Sequence, residues 1–497
     1  MTPGSGSPPP DHNPRRKPWR TLAFGLPIAH IRDEMRHHLI ATGLALTLAL
    51  QGTAQAQPRV PESRGEITLS FAPVVRAATP AVVNIYASRV VERRSSPFAN
   101  DPFFSDFFRG MGPSRPEVQN SLGSGVILGA DGIVVSNHHV VGTADDIRVV
   151  LADRREFTAH VLLADAEADL AILKIDAPED LPHLDLRDSA EVEVGELVLA
   201  IGNPFGVGQT VSSGIVSGLA RSGTATGSGR GYFIQTDAPI NPGNSGGALI
   251  DMAGRLIGVN TSILSRSGGS NGIGFAIPAS LVRQFMAQAR DGATVFRRPW
   301  AGLNGQPVTA DIAAGLGLDR PGGIMVSEVH AASAFKAAGI EVGDVILDVG
   351  GQPVNTPAEM VYRMAVAGDG ARLPVRCLRQ GRERTFEVTL TAPPDQPDRV
   401  ALVTGDTSPI PGLALAGVNP AVLAEFGLPL SAHGAVVTDP GPVGRRAGFQ
   451  PGDVIVAVNG VTVEGSEAAV AGLDGASGWL AVDLVRGRDR LTLRFRL

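Results

Sequence analysis

The run Gly243-Asn244-Ser245-Gly246-Gly247 sets a serine inside a turn built largely of glycine. A serine hydroxyl is a poor nucleophile until a base takes its proton, and the oxyanion formed when it attacks a carbonyl needs preorganised N–H donors. Flanking glycines permit the tight turn that aims the N–H groups of Gly243 and Ser245 at one point, so Gly243, Asn244 and Ser245 form a candidate oxyanion hole. Taken alone, the pentapeptide could equally be a glycine-rich loop. It gains meaning when a base, and a carboxylate to orient that base, are found in the same domain.

Both are present. Ser136-Asn137-His138-His139-Val140-Val141 follows the apolar run Ile133 to Ser136 and offers two adjacent histidines. Neighbours on an extended segment project to opposite sides, so at most one of them faces Ser245. Asp165, Glu167 and Asp169 compete for the carboxylate role, and acidic residues in turns commonly only cap or meet water. Asp169 directly precedes Leu170-Ala171-Ile172-Leu173, a run expected to be buried, which favours it. The order His139, Asp169, Ser245 is that of a chymotrypsin-type protease and puts the first two residues in one barrel and the serine in another. In such a set the imidazole takes the serine proton and returns it to the leaving amine, while the carboxylate fixes the tautomer.

The elements around these residues read as short strands. Gly125 to Leu128 and Ile133 to Ser136 flank a glycine-containing turn, as in a hairpin. Val198 to Ile201, Thr210 to Leu219, Phe233 to Thr236 and Leu256 to Ile263 continue the series without helical periods, which argues for antiparallel barrels. A helix from Ala279 to Ala289 is expected to close this domain, with Leu281, Val282, Phe285 and Met286 at helical spacing. Beyond it lies an internal repeat. Ala338-Gly339-Ile340-Glu341-Val342-Gly343-Asp344-Val345-Ile346 recurs as Ala447-Gly448-Phe449-Gln450-Pro451-Gly452-Asp453-Val454-Ile455, which implies two related domains of about 90 residues each. Arg297-Arg298-Pro299 forms a short hinge before the first copy, and the Pro/Asp-rich stretch 392–399 reads as a semi-stiff extended linker between the copies.

Composition narrows the function class. The chain has 497 residues, 43% hydrophobic and 19% charged, too apolar for a disordered tail and long enough for about three folded units. Gly 61 and Pro 37 suit turn-rich β domains. With 3 Tyr, 3 Trp and a net charge of −6 there is no aromatic-interleaved basic patch, so nucleic acid is not an expected partner. A single cysteine, Cys377, permits no intrachain disulfide and no cysteine-based zinc site. Beyond the N-terminal 56 residues and this pair, the histidines (His160, His183, His330 and His433) are scattered singly, so neither a metal nor another cofactor is expected. Arg36, His37 and His38, the apolar run Leu39 to Leu50 and Ala54-Gln55-Ala56 have signal-peptide anatomy, with cleavage expected after Ala56 and Met35 as the expected true start. The apolar run is shorter than the ~20 residues of a spanning helix, so no stable membrane anchor is expected. Removing residues 1–56 leaves a mildly acidic chain of net charge −9.

Several segments together resemble the HtrA family of serine proteases: Leu122-Gly123-Ser124-Gly125-Val126-Ile127, Ser136 to Val141, Asp169 to Lys174, Gly202-Asn203-Pro204-Phe205-Gly206, Gln235-Thr236-Asp237-Ala238, Ile240 to Gly247 and Gly272 to Pro278. The repeated units look like the two PDZ domains of its DegP/DegQ-like branch, so the resemblance spans roughly residues 67–497. It implies a mostly β protein, a chymotrypsin-like double β-barrel followed by two PDZ domains. The implied divisions are a leader over 1–56, a protease domain over 57–297, and PDZ domains over 299–391 and 400–497. In this family the histidine directly before Val-Val is catalytic, which assigns the base to His139, the acid to Asp169 and the nucleophile to Ser245.

The resemblance implies further roles. Asn260 to Leu264 would line the primary specificity pocket, where Ile263 and Leu264 carry no charge and favour small or medium aliphatic residues before the cleaved bond. Trp300-Ala301-Gly302-Leu303 stands where the first PDZ domain would receive a terminal carboxylate, and Pro411-Gly412-Leu413-Ala414 corresponds more loosely in the second. Arg221 is placed like an activation-loop arginine. The segment Pro97 to Arg109, with five phenylalanines, resembles a loop that reaches a neighbouring subunit, although packing on its own domain fits as well. The expected protein is an ATP-independent periplasmic serine endoprotease acting on unfolded or misfolded proteins and peptide C-termini, with a possible chaperone role, as trimers that can join into cages. A peptide-binding chaperone with little proteolysis and a membrane-anchored signalling protease are the competing readings.

Overall fold

The computed structural model describes residues 70–91, 117–142, 144–203, 208–222, 232–241, 243–263 and 272–497. The leader, the Phe-rich segment 97–109 and Leu264 lie outside the described residues.

Two closed six-stranded barrels follow a short helix, α1 (Ala72–Ala78). The first comprises β1 (Val82–Val91), β2 (Glu117–Ile127), β3 (Ile133–Ser136), β4 (Asp146–Val150), β5 (Glu156–Asp165) and β6 (Leu170–Ile175), closing in the order β1-β2-β3-β6-β5-β4. A single helical turn, α2 (His138–Val141), leaves β3. The second comprises β7 (Leu197–Gly202), β8 (Thr210–Ser222), β9 (Tyr232–Thr236), β10 (Ala248–Ile250), β11 (Leu256–Ile263) and β12 (Gly274–Pro278), in the order β10-β11-β12-β9-β8-β7. The hairpin expected at Gly125 to Ser136 is β2 against β3, with Val126 opposite Val135.

The strands nearest the barrel–barrel contact, β3 and β6, are apolar over most of their length because both their faces are covered. Ile133 and Val135 of β3 and Leu170 and Ile172 of β6 point into the core shared with Leu199, Ile201, Phe275 and Ile277 of the second barrel. Their neighbours Val134, Ala171, Leu173 and Ile175 fill the first barrel's own interior. A period of two thus divides one run between two cores, and a continuous apolar run is the sequence signature of a strand buried on both faces. The helix expected at Ala279 is α3 (Ala279–Arg290); its Val282, Phe285 and Ala289 enter the shared core, and Phe285 stacks on Phe296 at 3.8 Å.

The repeat yields two sheets of like topology. The first has β13 (Leu303–Pro307), β14 (Ile324–Val329), β15 (Val345–Val349), β16 (Gln352–Pro353), β17 (Arg372–Arg379) and β18 (Arg382–Thr389), with helices α4 (Ala310–Leu316), α5 (Ala334–Ala337) and α6 (Pro357–Ala367). Its strands run β13-β14-β15-β17-β18, with β16 on β15. The second has β19 (Leu402–Val403), β20 (Ala414–Gly417), β21 (Ala435–Asp439), β22 (Val454–Val458), β23 (Val461–Thr462), β24 (Trp479–Arg486) and β25 (Asp489–Arg496), with α7 (Pro420–Phe426), α8 (Gly441–Ala447) and α9 (Ser466–Asp474). Its order is β19-β20-β21-β22-β24-β25, with β23 on β22.

The repeated Gly-Asp has a structural cause. Asp344 is buried and accepts two hydrogen bonds of 2.6 Å from Arg379, which also donates to the Gly339 carbonyl. Asp453, Arg486 and Gly448 repeat the arrangement at 2.7, 2.8 and 2.7 Å. A bidentate guanidinium satisfies both carboxylate oxygens, which makes a buried aspartate tolerable.

The linker and hinge are held in place. The Asn419 side chain donates to Asp395 and to the Pro397 carbonyl, each at 2.7 Å, and Arg399 pairs with Asp395 and Glu425. Residues 395–399 therefore pack on α7, where the sequence suggested a semi-stiff spacer. In the hinge, Arg298 donates to both oxygens of Asp165 at 2.6 and 2.7 Å. The barrel pair meets α6 of the first repeat through Tyr232 stacked on Tyr362 at 3.8 Å and a bond donated by the Gln284 side chain to the Val366 carbonyl.

Candidate active site

The first barrel supplies His139 and Asp169 from adjacent strand ends. β3 and β6 pair with Ser136 opposite Ala171, which sets α2 beside the turn that carries Asp169. His138 and His139 lie on one helical turn, where neighbours sit about 100° apart, and not on the extended segment expected from the sequence. The His138 ring folds towards Gly142. The His139 Nδ1 lies 2.9 and 2.8 Å from the two oxygens of Asp169, and the His139 backbone N–H donates to the same carboxylate at 3.0 Å.

Asp169 holds a left-handed backbone conformation, φ 54°, uncommon for a residue with a side chain and tolerated best by Asp and Asn. Asn137 steadies it by donating to its carbonyl at 2.9 Å. The carboxylate also accepts a 2.5 Å bond from the Thr261 hydroxyl on β11. Burial by itself would push this carboxyl up; hydrogen bonds from His139 and Thr261, with the attraction of His139, outweigh burial and hold it below its usual value. An ionised carboxylate can only accept, so Nδ1 carries the proton and Nε2 is left as the basic nitrogen.

The two rival carboxylates are occupied elsewhere. Asp165 is clamped by Arg298 and caps the Ala168 N–H at 2.7 Å, and Glu167 stands 3.9 Å from the same arginine. Burial pushes Asp165 up, but its bonds from Arg298 and the neighbouring backbone prevail and lower it.

The second barrel supplies the serine turn. Ser245 Oγ donates to the Thr261 carbonyl at 3.0 Å, so Thr261 meets the serine through its backbone and Asp169 through its side chain. Gly246, φ 82°, packs so closely that a Cβ there would run into the Ser124 carbonyl oxygen. Ser124, on β2 of the other barrel, fastens this turn: its N–H donates to the Ser245 carbonyl at 2.8 Å, and its hydroxyl donates to the Gly243 carbonyl at 2.6 Å. That hydroxyl in turn accepts from the Asn203 N–H at 2.8 Å. The Asn244 N–H is engaged by the Asn241 carbonyl at 3.0 Å, and the Asn244 side chain accepts from Thr210. Of the three residues expected to form an oxyanion hole, Asn244 is thus tied to its own turn, and the N–H groups of Gly243 and Ser245 carry no hydrogen bond among the described residues.

The remaining expected residues are more dispersed. Ile263 ends β11 opposite Gly274. Arg221 lies near the end of β8 opposite Phe233. Trp300 to Leu303 lead into β13: the Trp300 N–H donates to the Thr391 carbonyl, and the Ala301 and Gly302 carbonyls accept from Ser333 Oγ and the His330 N–H. The Trp300 ring packs edge-on to His330 and over Gly302, whose φ is 59°. Among the described residues no group of three or more His, Cys, Asp or Glu is placed to hold a metal ion, and no helix is long and apolar enough to cross a membrane. Sequence reasoning missed Ser124 as the clamp of the serine turn and gave Thr261 only a pocket-lining role. For Ser124, a hydroxyl between buried Gly123 and Gly125 was the available signal.

Residues 123–259 match a trypsin-like peptidase domain, and residues 302–390 and 436–474 each match a PDZ domain. The chain is 37% identical over 462 residues to the periplasmic pH-dependent serine endoprotease DegQ of Escherichia coli, covering 92% of this chain and 98% of that protein. It is 36% identical over 449 residues to a probable periplasmic serine endoprotease, DegP-like, of Halomonas elongata, covering 87% and 92%. A solved HtrA-type protease, AlgW with a tripeptide, is 38% identical with a TM-score of 0.50, covering 66% of this chain and 99% of that one.

Proposed function

Because this chain belongs to the HtrA family of periplasmic serine endoproteases, with a trypsin-like peptidase domain and two PDZ domains, we propose that Ser245, His139 and Asp169 carry out its peptide-bond hydrolysis. The observation that supports this most is the sharing of Thr261: one residue accepts from the Ser245 hydroxyl and donates to the carboxylate that holds His139. Those contacts bring serine, carboxylate and imidazole from two barrels to one place.

In this reading the serine hydroxyl turns from the Thr261 carbonyl to Nε2 of His139, which removes its proton as Oγ attacks the scissile carbonyl. The tetrahedral oxyanion is met by the N–H groups of Gly243 and Ser245. His139, now an imidazolium held by Asp169, gives its proton to the leaving amine as the C–N bond breaks. Water then enters, losing a proton to His139, and the acyl bond to Ser245 is hydrolysed. Ile263 and Leu264 belong to the proposed specificity pocket, and Arg221 to the proposed activation loop.

The protease domain is assigned to residues 57–297 and the PDZ domains to 299–391 and 400–497. Extended, unfolded or misfolded chains and peptide C-termini are the proposed substrates, since strand addition and an apolar pocket both select extended segments. Export with cleavage after Ala56 and trimeric assembly, with larger cages, complete the proposal. Degradation of a reduced, unfolded protein by the mature chain and by Ser245→Ala, with the folded form as control, tests it. Cleavage of the unfolded form lost only in the variant is expected; equal inactivity of both, with aggregation still suppressed, overturns it in favour of a chaperone.

A further inference from the structure

The two PDZ units differ at the edge where a peptide would add. Their registers superpose the first strands: Gly305 faces Val326 and Leu415 faces Val437, with a bulge just before each. Gly302 and Gly412 then correspond, and both have positive φ, 59° and 74°. In the first unit β13 is the outermost strand with α6 beside it, and the Gly302 N–H has no hydrogen bond among the described residues.

In the second unit the corresponding edge is filled by the chain itself. β19 runs antiparallel along β20, with Leu402 opposite Leu415 and Val403 opposite Ala414, and α9 packs against both strands. At the loop, the Thr404 carbonyl accepts from the Gly412 N–H at 3.1 Å, and its hydroxyl accepts from the Leu413 N–H at 2.9 Å. Farther back, the Gly417 N–H donates to the Arg399 carbonyl and Ser466 Oγ to the Val400 carbonyl, each at 2.5 Å. Side chains alternate: Thr404 is 3% exposed and Leu402 half-buried, whereas Val403 is 64% exposed.

A PDZ ligand adds as a strand to the sheet edge, sends alternate side chains inward and sets its terminal carboxylate on the loop N–H groups. Residues 399–404 reproduce each of these features. Their C-terminal end lies at the loop, and the carbonyl and hydroxyl of Thr404 stand where two carboxylate oxygens would. We propose that residues 399–404 are a built-in pseudo-ligand of the second PDZ unit, so that the first unit alone receives external peptide C-termini. The tether, residues 405–411, is short, and a short tether gives an effective concentration on the order of millimolar, against which a free peptide must compete. The inference rests on the reading of the PDZ units as peptide receptors.

The test uses the full chain carrying Ser245→Ala and a labelled hexapeptide ending in a free valine carboxylate. Isothermal titration is expected to give one peptide per chain, lost with Gly302→Val, whose Cβ would collide with Trp300 and Ser333. A folded chain with Leu402→Asp and Thr404→Asp is expected to bind two. In the unsubstituted chain, hydrogen exchange at the Gly412 and Leu413 amides is expected to be slow with or without peptide, while the Gly302 amide slows only when peptide is added. Two sites in the unsubstituted chain, one surviving Gly302→Val, overturn the inference, as do fast Gly412 and Leu413 amides or a folded release variant that binds only one. Absence of any peptide binding overturns the receptor reading instead, and the two amides still decide whether the segment is docked.

Discussion

Thr261→Val removes one hydroxyl and keeps the side chain's shape, so it isolates what the 2.5 Å bond to Asp169 does. A hydrogen bond to a charged acceptor is worth about 1.5–3 kcal/mol. Asp169 keeps three other contacts, two to the His139 ring and one to its N–H, and its side chain is 26% exposed, so water can replace part of the loss. The lower end of the range applies. About 1.4 kcal/mol is a tenfold change in rate if the bond counts fully in the transition state, where the imidazolium charge makes carboxylate position matter most. Thr261→Val is therefore expected to lower kcat/KM on an unfolded protein substrate about tenfold, with Thr261→Ser close to the parent. Losing a bond to the charged form also raises the Asp169 pKa, so any acid limb it governs moves to higher pH. Asp169→Asn, which forces the wrong tautomer, is expected to cost about 10⁴-fold. A Thr261→Val enzyme within twofold of the parent, beside an Asp169→Asn enzyme that is nearly dead, would show that the hydroxyl does not position the carboxylate.

Gly246→Ala adds a Cβ against the Ser124 carbonyl at a positive φ, so cleavage is expected to fall at least a hundredfold while the PDZ peptide affinity stays unchanged; normal turnover contradicts the packing argument. Arg298→Ala strips the partner from a mostly buried carboxylate, and breaking such a pair costs about 3 kcal/mol, the lower end of the range for buried pairs, to be read as a lowered melting temperature of the protease domain at pH 7. Asp165 titrates below its ordinary value in the folded chain, so the parent bridge contributes fully above about pH 4 and fades as pH falls through that lower folded value. The melting difference between parent and Arg298→Ala should accordingly shrink in strong acid, and a gap independent of pH contradicts the assignment.

Much of the fold was legible because barrel strands buried on both faces announce themselves as aliphatic runs, as Leu170 to Leu173 does. The helix from Ala279 was equally plain from its spacing. The repeat revealed two related domains, but not why Asp344 and Asp453 recur, since each pairs with an arginine 35 or 33 residues away. Two-residue β19 has no pattern to read; its place is fixed by Thr404 bonding to a loop eight residues on. At the site, residue types and order pointed to one histidine of the 138–139 pair, Asp169 and Ser245, the family resemblance selected His139, and the geometry sets His139 in contact with Asp169. Ser124 and Thr261 were hidden because their work is tertiary, each reaching from one barrel into the other.

On the proposal that this protease acts on unfolded chains, its substrates are the partners most apt to join an open sheet and build an aggregate. The closed barrels have no edge to offer. The outer strands β18 and β25 carry Arg382, Glu383, Arg384 and Glu387, and Asp489, Arg490, Arg494 and Arg496, the like and unlike charges that discourage stacking. β19 covers the edge of β20 and is itself only two residues long. That leaves β13, with uncharged Asn304, Gly305 and Gln306 and a terminating proline, as the longer uncharged strand edge among the described residues. On the proposed reading, this is the edge at which a substrate strand adds.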